Sequence, residues 1–293
     1  LIDTIAPQLD CPASINASVN NDCEWIVTDL FADVLVDDNC TSASNFTFSQ
    51  SINVGNILPV GLHNITFAAT DESGNASNCL IELNVVDNDA PTIVTCPASV
   101  SLVADAACSA ILPDYVNLVD AIDNCTAAND LVWSQSPAVG SVVTNNITVE
   151  MEVTDVNGNT AVCPISLTLI DDIAPVISCP NDTVVNIDAN CNMVVPDVSG
   201  WIQANDNCTA TGDLVFNQVP AIGSVNQGQT SVDLVVLDEA GKSASCTIVL
   251  VPDDSIAPQI TCPAPVSINI GTACEDVLQD YTALATVTDN CPG

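Results

Sequence analysis

Between Ile147 and Thr154 every second residue is apolar. Ile147, Val149, Met151 and Val153 alternate with Thr148, Glu150, Glu152 and Thr154; this period of two predicts a strand with one buried and one wet face. Ile65, Phe67 and Ala69 repeat the pattern, as do Val232, Leu234 and Val236. A second alternating run follows, Cys79, Ile81, Leu83 and Val85 in one place and Cys163, Ile165, Leu167 and Leu169 in another. The short turns between the paired runs contain Gly74, Gly158 or Gly241, able to supply the positive φ of a tight hairpin. Upstream, Val94, Cys96, Val100 and Leu102 are in phase, which predicts an opening strand whose cysteine faces the core. No stretch carries the period of a long amphipathic helix. The expectation is an all-β chain of tandem immunoglobulin-like β-sandwich modules forming an extended rod.

The cysteines set the module boundaries. Cys11, Cys23, Cys40 and Cys79 are followed at matching spacings by Cys96, Cys108, Cys125 and Cys163, by Cys179, Cys191, Cys208 and Cys246, and by Cys262, Cys274 and Cys291. Three tandem modules result, residues 1–87, 88–171 and 172–254, with a partial fourth over 255–293, a repeat architecture. The odd fifteenth cysteine follows from that partial module, and the chain reads as cut from something longer. Zinc sites use close Cys-x2-Cys pairs with histidine, whereas His63 is the sole histidine. The grid is therefore a disulfide framework, which places the chain outside the reducing cytosol. Because the first and fourth cysteines both face the core on strands that would run side by side, the expected bonds are Cys11–Cys79, Cys96–Cys163 and Cys179–Cys246. The second cysteine is then expected to pair with the third, as Cys23–Cys40, Cys108–Cys125, Cys191–Cys208 and Cys274–Cys291, leaving Cys262 unpaired.

One Lys, Lys242, no Arg and 37 acids give a formal charge of -36. Such a surface cannot neutralise phosphates, which excludes nucleic acid, and it would be repelled by anionic lipid; no apolar run approaches the length of a membrane span, so no direct membrane insertion is expected. With 48% hydrophobic residues the chain is nonetheless folded rather than a disordered acidic tail. One aromatic position recurs: Phe48, Trp133 and Phe216, each followed two residues later by Gln50, Gln135 or Gln218. A buried core anchor per module is the plain reading, and a sugar-stacking platform the sharper one. Trp25 and Trp201 share no position.

An Ala-Pro, then Cys-Pro, Asp-Asn-Cys and Thr-Asp-x-x-Gly-Asn before a final cysteine, here Ala90-Pro91, Cys96-Pro97, Asp123-Asn124-Cys125, Thr154-Asp155 with Gly158-Asn159, and Cys163, resembles the hyalin (HYR) repeat, an immunoglobulin-like extracellular module. The third module departs from it, with Leu237 for Thr and Lys242 for Asn. Arrays of Lys-poor, four-cysteine repeats of this kind look like those of giant cell-surface adhesins of Bacteroidetes, including gliding-motility adhesins exported by type IX secretion. The resemblance implies an extracellular, surface-exposed chain.

Acids crowd the module junctions: Asp3; Asp87 and Asp89; Asp171 and Asp172; Asp253 and Asp254, each group just before an Ala-Pro that stiffens the link. The stretch 86–91 also resembles a cadherin linker. Neighbouring carboxylates repel unless a cation lies between them, and calcium takes six to eight oxygens of this kind. The hairpin aspartates Asp71, Asp155 and Asp238 are expected to approach the linkers and complete such sites. The alternative is that aspartate serves only as a solubilising turn-former. Asn39, Asn124 and Asn207 sit in Asn-x-Ser/Thr sequences, glycan acceptors in a eukaryotic secreted protein and simple turn-formers in a bacterium. Thr4, Thr183 and Ser255 stand in short matches that resemble the Bacteroidetes O-glycosylation pattern.

Nothing converges into a catalytic constellation. His63 is unique, and carboxylate pairs are too numerous for any to stand out as an acid/base dyad. The expected role is non-enzymatic: a structural stalk of a large cell-surface adhesin filament, whose partners are further repeats of the same chain and an extracellular surface, glycan or protein. The alternative is a carbohydrate- or protein-binding accessory module of a secreted enzyme.

Overall fold

The computed structural model describes residues 2–42, 44–269, 272, 274–275 and 277–291. The chain forms two compact units, residues 1–102 with 111–168, and residues 103–110 with 169–293. Both are built from β-strands and short 3-10 turns, as tandem immunoglobulin-like modules.

In the first unit a four-stranded sheet runs in the spatial order Ser14–Ser18, Ala76–Val86, Gly61–Thr70, Thr47–Gln50. The first of these strands is parallel to its neighbour, with Ser14 opposite Glu82 and Ser18 opposite Val86, and the other pairs are antiparallel. Two small ladders, Gln8–Asp10 with Leu35–Asp37 and Trp25–Ile26 with Ile57–Leu58, complete the sandwich. The alternation read from the sequence sets the core: Ile65, Phe67, Ile81, Leu83 and Val85 are buried and pack with Val19, Leu30 and Val34. The second repeat uses the order Ser99–Val103, Thr160–Ile170, Ile147–Thr154, Val132–Ser136, and buries Val149, Met151, Val153, Ile165 and Leu167. In the second unit the same arrangement is built from Thr183–Asn186, Ser243–Asp253, Thr230–Leu237 and Val215–Val219, around Met193, Val195, Val198, Val232, Leu234, Ile248 and Leu250. Gly74, Gly158 and Gly241 hold φ of 89°, 93° and 83° in the hairpin turns.

Two expectations need correction. Val94 and Cys96 do not face the core: Val94 is exposed, Ile93 packs inward instead, and Cys96 lies exposed just beyond the strand Thr92–Thr95. Pro97 follows at once, and a residue with no N–H and a fixed φ interrupts the ladder. The opening segment therefore splits into two strands, Thr92–Thr95 on Asp120–Ile122 and Ser99–Val103 in the large sheet, and the phase is lost between them. The recurrent aromatics are not fully buried either. Phe48 is exposed at its rim, Trp133 and Phe216 are half-buried, and these last two pack on the small clusters of Leu131 with Val153 and Leu214 with Val236.

The glutamine two residues on has a definite role. Gln135 Oε1 accepts from the backbone N–H of Tyr115 at 3.0 Å, and its Nε2 donates to the carbonyls of Pro113 and Pro137 at 3.1 and 3.3 Å. Gln218 makes the same three bonds, to Val198, Pro196 and Pro220, and Gln50 a looser version to Leu30, Thr28 and Ile52. One amide thus ties the 3-10 turn to the end of the edge strand. Substituting Gln218→Ala strands a buried N–H and two carbonyls, and should cost about 1–3 kcal/mol of unfolding free energy in urea titration, whereas Asn217→Ala, on the exposed face of the same strand, should be close to neutral.

Candidate metal sites and the disulfides beside them

At the start of each full repeat three aspartates converge: Asp3, Asp38 and Asp71; Asp87, Asp123 and Asp155; Asp171, Asp206 and Asp238. Within each group the carboxylate oxygens that face one another lie within 4.8 Å. The local chain explains each member. The linker aspartate caps the N–H two residues ahead, Asp3 to Ile5, Asp87 to Asp89 and Asp171 to Ile173, all at 3.1 Å. The aspartate of Asp-Asn-Cys-Thr turns one oxygen to the backbone: Asp123 Oδ2 accepts from Cys125 and Thr126 at 2.9 and 2.7 Å, and Asp38 and Asp206 do the same. The hairpin aspartate folds its own turn, with Asp155 Oδ1 accepting from the N–H groups of Asn157 and Asn159.

The threonine after the third cysteine locks the two turns together. Thr41, Thr126 and Thr209 are buried, and their Oγ1 atoms accept from the N–H groups of Glu72, Val156 and Glu239. Asn75 and Asn159 then bridge to the linker, each Nδ2 donating to the hairpin carboxylate at 2.7 Å and to the carbonyl of Asp3 or Asp87.

What remains is a set of carboxylate oxygens with no donor. Oδ1 of Asp38, Asp123 and Asp206, and Oδ2 of Asp3 and Asp171, are buried and unpaired. Asp71, Asp87, Asp155 and Asp238 are 4–5% exposed. Unit charges 4.8 Å apart repel by about 3–4 kcal/mol even at an effective dielectric of about 20, and buried charge requires a partner. Hard oxygen donors of this kind suit calcium rather than a thiophilic or imidazole-binding metal. Burial opposes ionisation of Asp71, but the side chain of Asn75 and the N–H groups of Asn75, Ser73 and Gly74 pull its carboxyl below the ordinary range.

The third group differs. Lys242 replaces the asparagine, and its ammonium pairs with Asp172, raising its own pKa and lowering that of Asp172. Asp238 Oδ2 is consequently left buried and unpaired, unlike its counterparts in Asp71 and Asp155. Of the acids expected as ligands, Asp3, Asp71, Asp87, Asp155, Asp171 and Asp238 lie in these groups. Asp89, Asp172, Asp253 and Asp254 lie outside them, with Asp89 accepting from Asn124 and Asp254 capping Ile256. Sequence reasoning missed Asp38, Asp123 and Asp206, although their repeated Asp-Asn-Cys-Thr was in view. Thr4 and Ser255 are exposed, and Thr183 is half-buried with its hydroxyl donating to the Asn181 carbonyl.

The third cysteine of each repeat stands beside its group, with Cys40, Cys125 and Cys208 donating their N–H to Asp38, Asp123 and Asp206. Cys11–Cys79, Cys96–Cys163 and Cys179–Cys246 close each repeat, with Cα atoms 6.5, 5.8 and 6.1 Å apart. The bonds expected as Cys23–Cys40, Cys108–Cys125, Cys191–Cys208 and Cys274–Cys291 do not form. Instead Cys23 joins Cys125, Cys108 joins Cys208 and Cys191 joins Cys291, from one repeat to the next. The reason is that the two cysteines occupy opposite ends of a repeat. The second lies in a turn fastened to the exit strand, where Val19, Ala104 and Ile187 donate to the carbonyls of Val86, Ile170 and Asp253. There the side chain of Asn20, Asp105 or Asp188 caps the turn and the cysteine takes a positive φ, 59°, 52° and 60°. The third cysteine lies at the entrance, beside the aspartate group. Asn124 and Asn207 add hydrogen bonds across the junction, to the carbonyls of Asn20 and Asp105. Cys40, Cys262 and Cys274 are free and exposed. Lost hydration and the charges of Asp3, Asp38 and Asp71 push the Cys40 thiol above its ordinary range.

Six disulfides suit an oxidising compartment. Among the described residues no helix is long and apolar enough to cross a membrane. Residues 2–85 match the HYR domain family, so the first repeat is HYR-like. The chain is similar to hyalin of Strongylocentrotus purpuratus, 22% identical over 89% of this chain and 22% of that protein. It is also similar to hyalin of Lytechinus variegatus, 28% identical over 76% of this chain and 43% of that one. The chain thus spans less than half the length of these curated relatives. Among solved structures, the protocadherin GammaB4 extracellular domain aligns with 88% of this chain and 51% of its own at 16% identity, TM-score 0.37. Mouse cadherin-23 EC22-24 aligns with 85% and 99% at 13% identity, TM-score 0.34.

Non-reducing peptide mapping should recover Cys23–Cys125 and Cys108–Cys208 as linked peptides, and Cys125→Ser should release one reactive thiol at Cys23 while leaving Cys108–Cys208 intact. A Cys23–Cys40 peptide would overturn this connectivity.

Proposed function

We propose that this chain is a non-enzymatic spacer of an extracellular, cell-surface adhesion protein, whose repeats are joined both by disulfides and by calcium held in the aspartate groups. The observation that carries the reading is the coincidence, at Asp87, Asp123 and Asp155, of a carboxylate group lacking a counter-charge with a covalent bond to the preceding repeat, repeated at Asp171, Asp206 and Asp238 with Lys242 nearby. Asp3, Asp38 and Asp71 would hold a cation in the same way. A cation there would hold the linker aspartate, the entrance turn and the hairpin turn on one centre, adding to the stiffness that the Ala-Pro link and the disulfide give the junction. A spacer needs that stiffness, and an enzyme would need a convergent acid, base or nucleophile that these repeats do not share. The finer assignment, repeats of a gliding-type surface adhesin, is carried by the sequence resemblance alone.

Binding to the folded state alone stabilises it by mass action, about 2.7 kcal/mol per site at a hundredfold excess over Kd. For domains of this size each kcal/mol is worth about 4–8 °C, so millimolar calcium should raise Tm by about 10 °C or more and chelation should reverse it. Asp123→Asn should remove the part of the rise belonging to the second repeat. Acidification should weaken the response, because protons compete with a cation for carboxylate oxygens. An unchanged Tm in calcium would leave the aspartates as solubilising turn-formers only.

The third group supplies an independent check. With Lys242 lending its positive charge to the neighbourhood of Asp171 and Asp238, calcium competes there with a resident ammonium. Lys242→Asn, which installs the residue present at 75 and 159, should lower the Tm measured in chelator and enlarge the calcium-induced rise. Equal responses before and after the substitution would separate Lys242 from the site.

A further inference from the structure

We infer that Asn157-Gly158, in the hairpin turn of the second repeat, is a site of spontaneous deamidation, which replaces a hydrogen bond to the linker carboxylate of Asp87 by a repelling charge and so loosens that junction as the chain ages. It is the only Asn-Gly in the chain. The equivalent turn positions hold Ser73-Gly74 and Ala240-Gly241, which lack the carboxamide, so of the three hairpin turns only this one carries the chemistry. No cation takes part, and the inference is independent of calcium binding.

The reaction requires the backbone nitrogen of one residue to reach the side-chain carbon of the residue before it. A β-carbon on the attacking residue crowds that approach, and glycine has none. Asn157 and Gly158 are both exposed in the turn between Ile147–Thr154 and Thr160–Ile170. Gly158 holds a φ of 93°, and beyond its chain neighbours no atom lies within 4 Å of the position a β-carbon would take. Its N–H donates to the Asp155 carbonyl at 3.3 Å, longer than an ordinary N–H···O bond, so little is forfeited in releasing it. The other asparagines of the hairpin turns, Asn75 and Asn159, precede Ala76 and Thr160, residues with side chains that begin a strand.

The Gly158 nitrogen attacks Cγ of Asn157, its proton passing through water to the departing amine. The Cγ–Nδ2 bond breaks, Nδ2 leaves as ammonia, and a cyclic imide closes. Water then opens the ring at either carbonyl. Breaking the bond from Cγ to nitrogen gives aspartate; breaking the bond from the main-chain carbonyl carbon to nitrogen gives isoaspartate. Either product carries a carboxylate where the carboxamide was, nothing is oxidised or reduced, and water is the only co-reactant.

What the junction loses can be named. Asn157 Nδ2 donates to Oδ2 of the buried Asp87 at 3.1 Å. The corresponding Oδ2 atoms of Asp3 and Asp171 have no donor, so Asn157 is what satisfies this linker carboxylate. After deamidation two carboxylates face one another where an amide and a carboxylate were bonded, and they repel. The isoaspartate form also lengthens the main chain by a carbon inside the turn, where Asp155 Oδ1 accepts from the N–H groups of Asn157 and Asn159 at 2.9 and 2.8 Å. Both effects release the hairpin from the linker, and neither is reversed by water.

The test ages the folded chain, disulfides intact, in mildly alkaline buffer with chelator, and reads it by peptide mapping and hydrogen exchange. The peptide containing Asn157 should gain about 1 Da, with isoaspartate among the products, at least about tenfold faster than any other asparagine peptide. Asn157→Ser, which installs the residue present at 73, should gain nothing there. Amide exchange over residues 86–91 should rise at least about tenfold in the aged parent and in fresh Asn157→Asp, which carries the charge from the outset. In Asn157→Ser it should not change with ageing. An unchanged mass at Asn157, a faster-reacting asparagine elsewhere, or full conversion with exchange over 86–91 unaltered would overturn the inference.

Discussion

One carboxylate oxygen, Oδ2 of Asp123, accepts the backbone N–H groups of Cys125 and Thr126, and the rest of the junction descends from that cap. The cap fixes the turn, and the turn sends three groups in three directions. Cys125 goes outward to Cys23 of the preceding repeat, the Thr126 hydroxyl goes sideways to the hairpin at Val156, and the other oxygen of Asp123 goes inward to Asp87 and Asp155. A charged acceptor serving two backbone donors is stronger than a neutral one and fixes direction as well as distance. Position and charge are thus set by the same residue. An asparagine here could keep one cap but would weaken it, and would remove the charge that the aspartate group uses.

Burying three carboxylates together is unfavourable in the absence of a counter-charge, and the fold offsets it in part by giving each aspartate one oxygen that accepts from the backbone. The oxygens left over all face the same small space. Such a site is organised before any cation arrives: the capped turns hold the ligands, so binding forfeits little conformational entropy. Lys242 shows the alternative solution, an internal cation beside the group at the cost of leaving Asp238 Oδ2 without the amide that serves Asp155. The chain therefore contains two electrostatic designs on one scaffold, and the difference lies in a single residue of the hairpin turn.

Much of the fold could be read from the order of residues, because burial on one face of a strand imposes a period of two, and the strand Ile147–Thr154 and the strand Gly61–Thr70 from Ile65 onward obey it. The opening strand could not, since Pro97 divides it and each half pairs with a different partner, which resets the phase at Cys96. The aspartate groups were half legible. Linker and hairpin acids stood out by crowding, whereas Asp38, Asp123 and Asp206 were hidden behind the neighbouring Asn-Cys, where a turn explains the residue without reference to anything distant. The second and third cysteines misled for a different reason. Closeness in sequence suggests a short loop, but Cys23 is fastened to the exit strand by the bond from Val19 to Val86, and Cys40 is fastened to the entrance by Asp38. Neighbours along the chain are separated by the length of the repeat, and only the repeat that follows brings a cysteine to each exit.

Bonds between repeats change what tension can do to the polypeptide. Between Cys11 and Cys291 the backbone has 280 steps, about 950 Å if drawn out at about 3.4 Å each. The covalent route is far shorter: 12 residues from Cys11 to Cys23, across to Cys125, 17 back to Cys108, across to Cys208, 17 back to Cys191 and across to Cys291. Those 46 residues reach only about 160 Å. With Cys11–Cys79 and Cys96–Cys163 also closed, a second route of 45 residues runs through the linkers, from Cys79 to Cys96, Cys163 to Cys179 and Cys179 to Cys191. Bonds confined to single repeats, such as Cys23–Cys40, would leave each linker as the sole path between neighbours; the connectivity observed lets the linker and the bond around it share the load, so a repeat whose core has opened remains held to both neighbours.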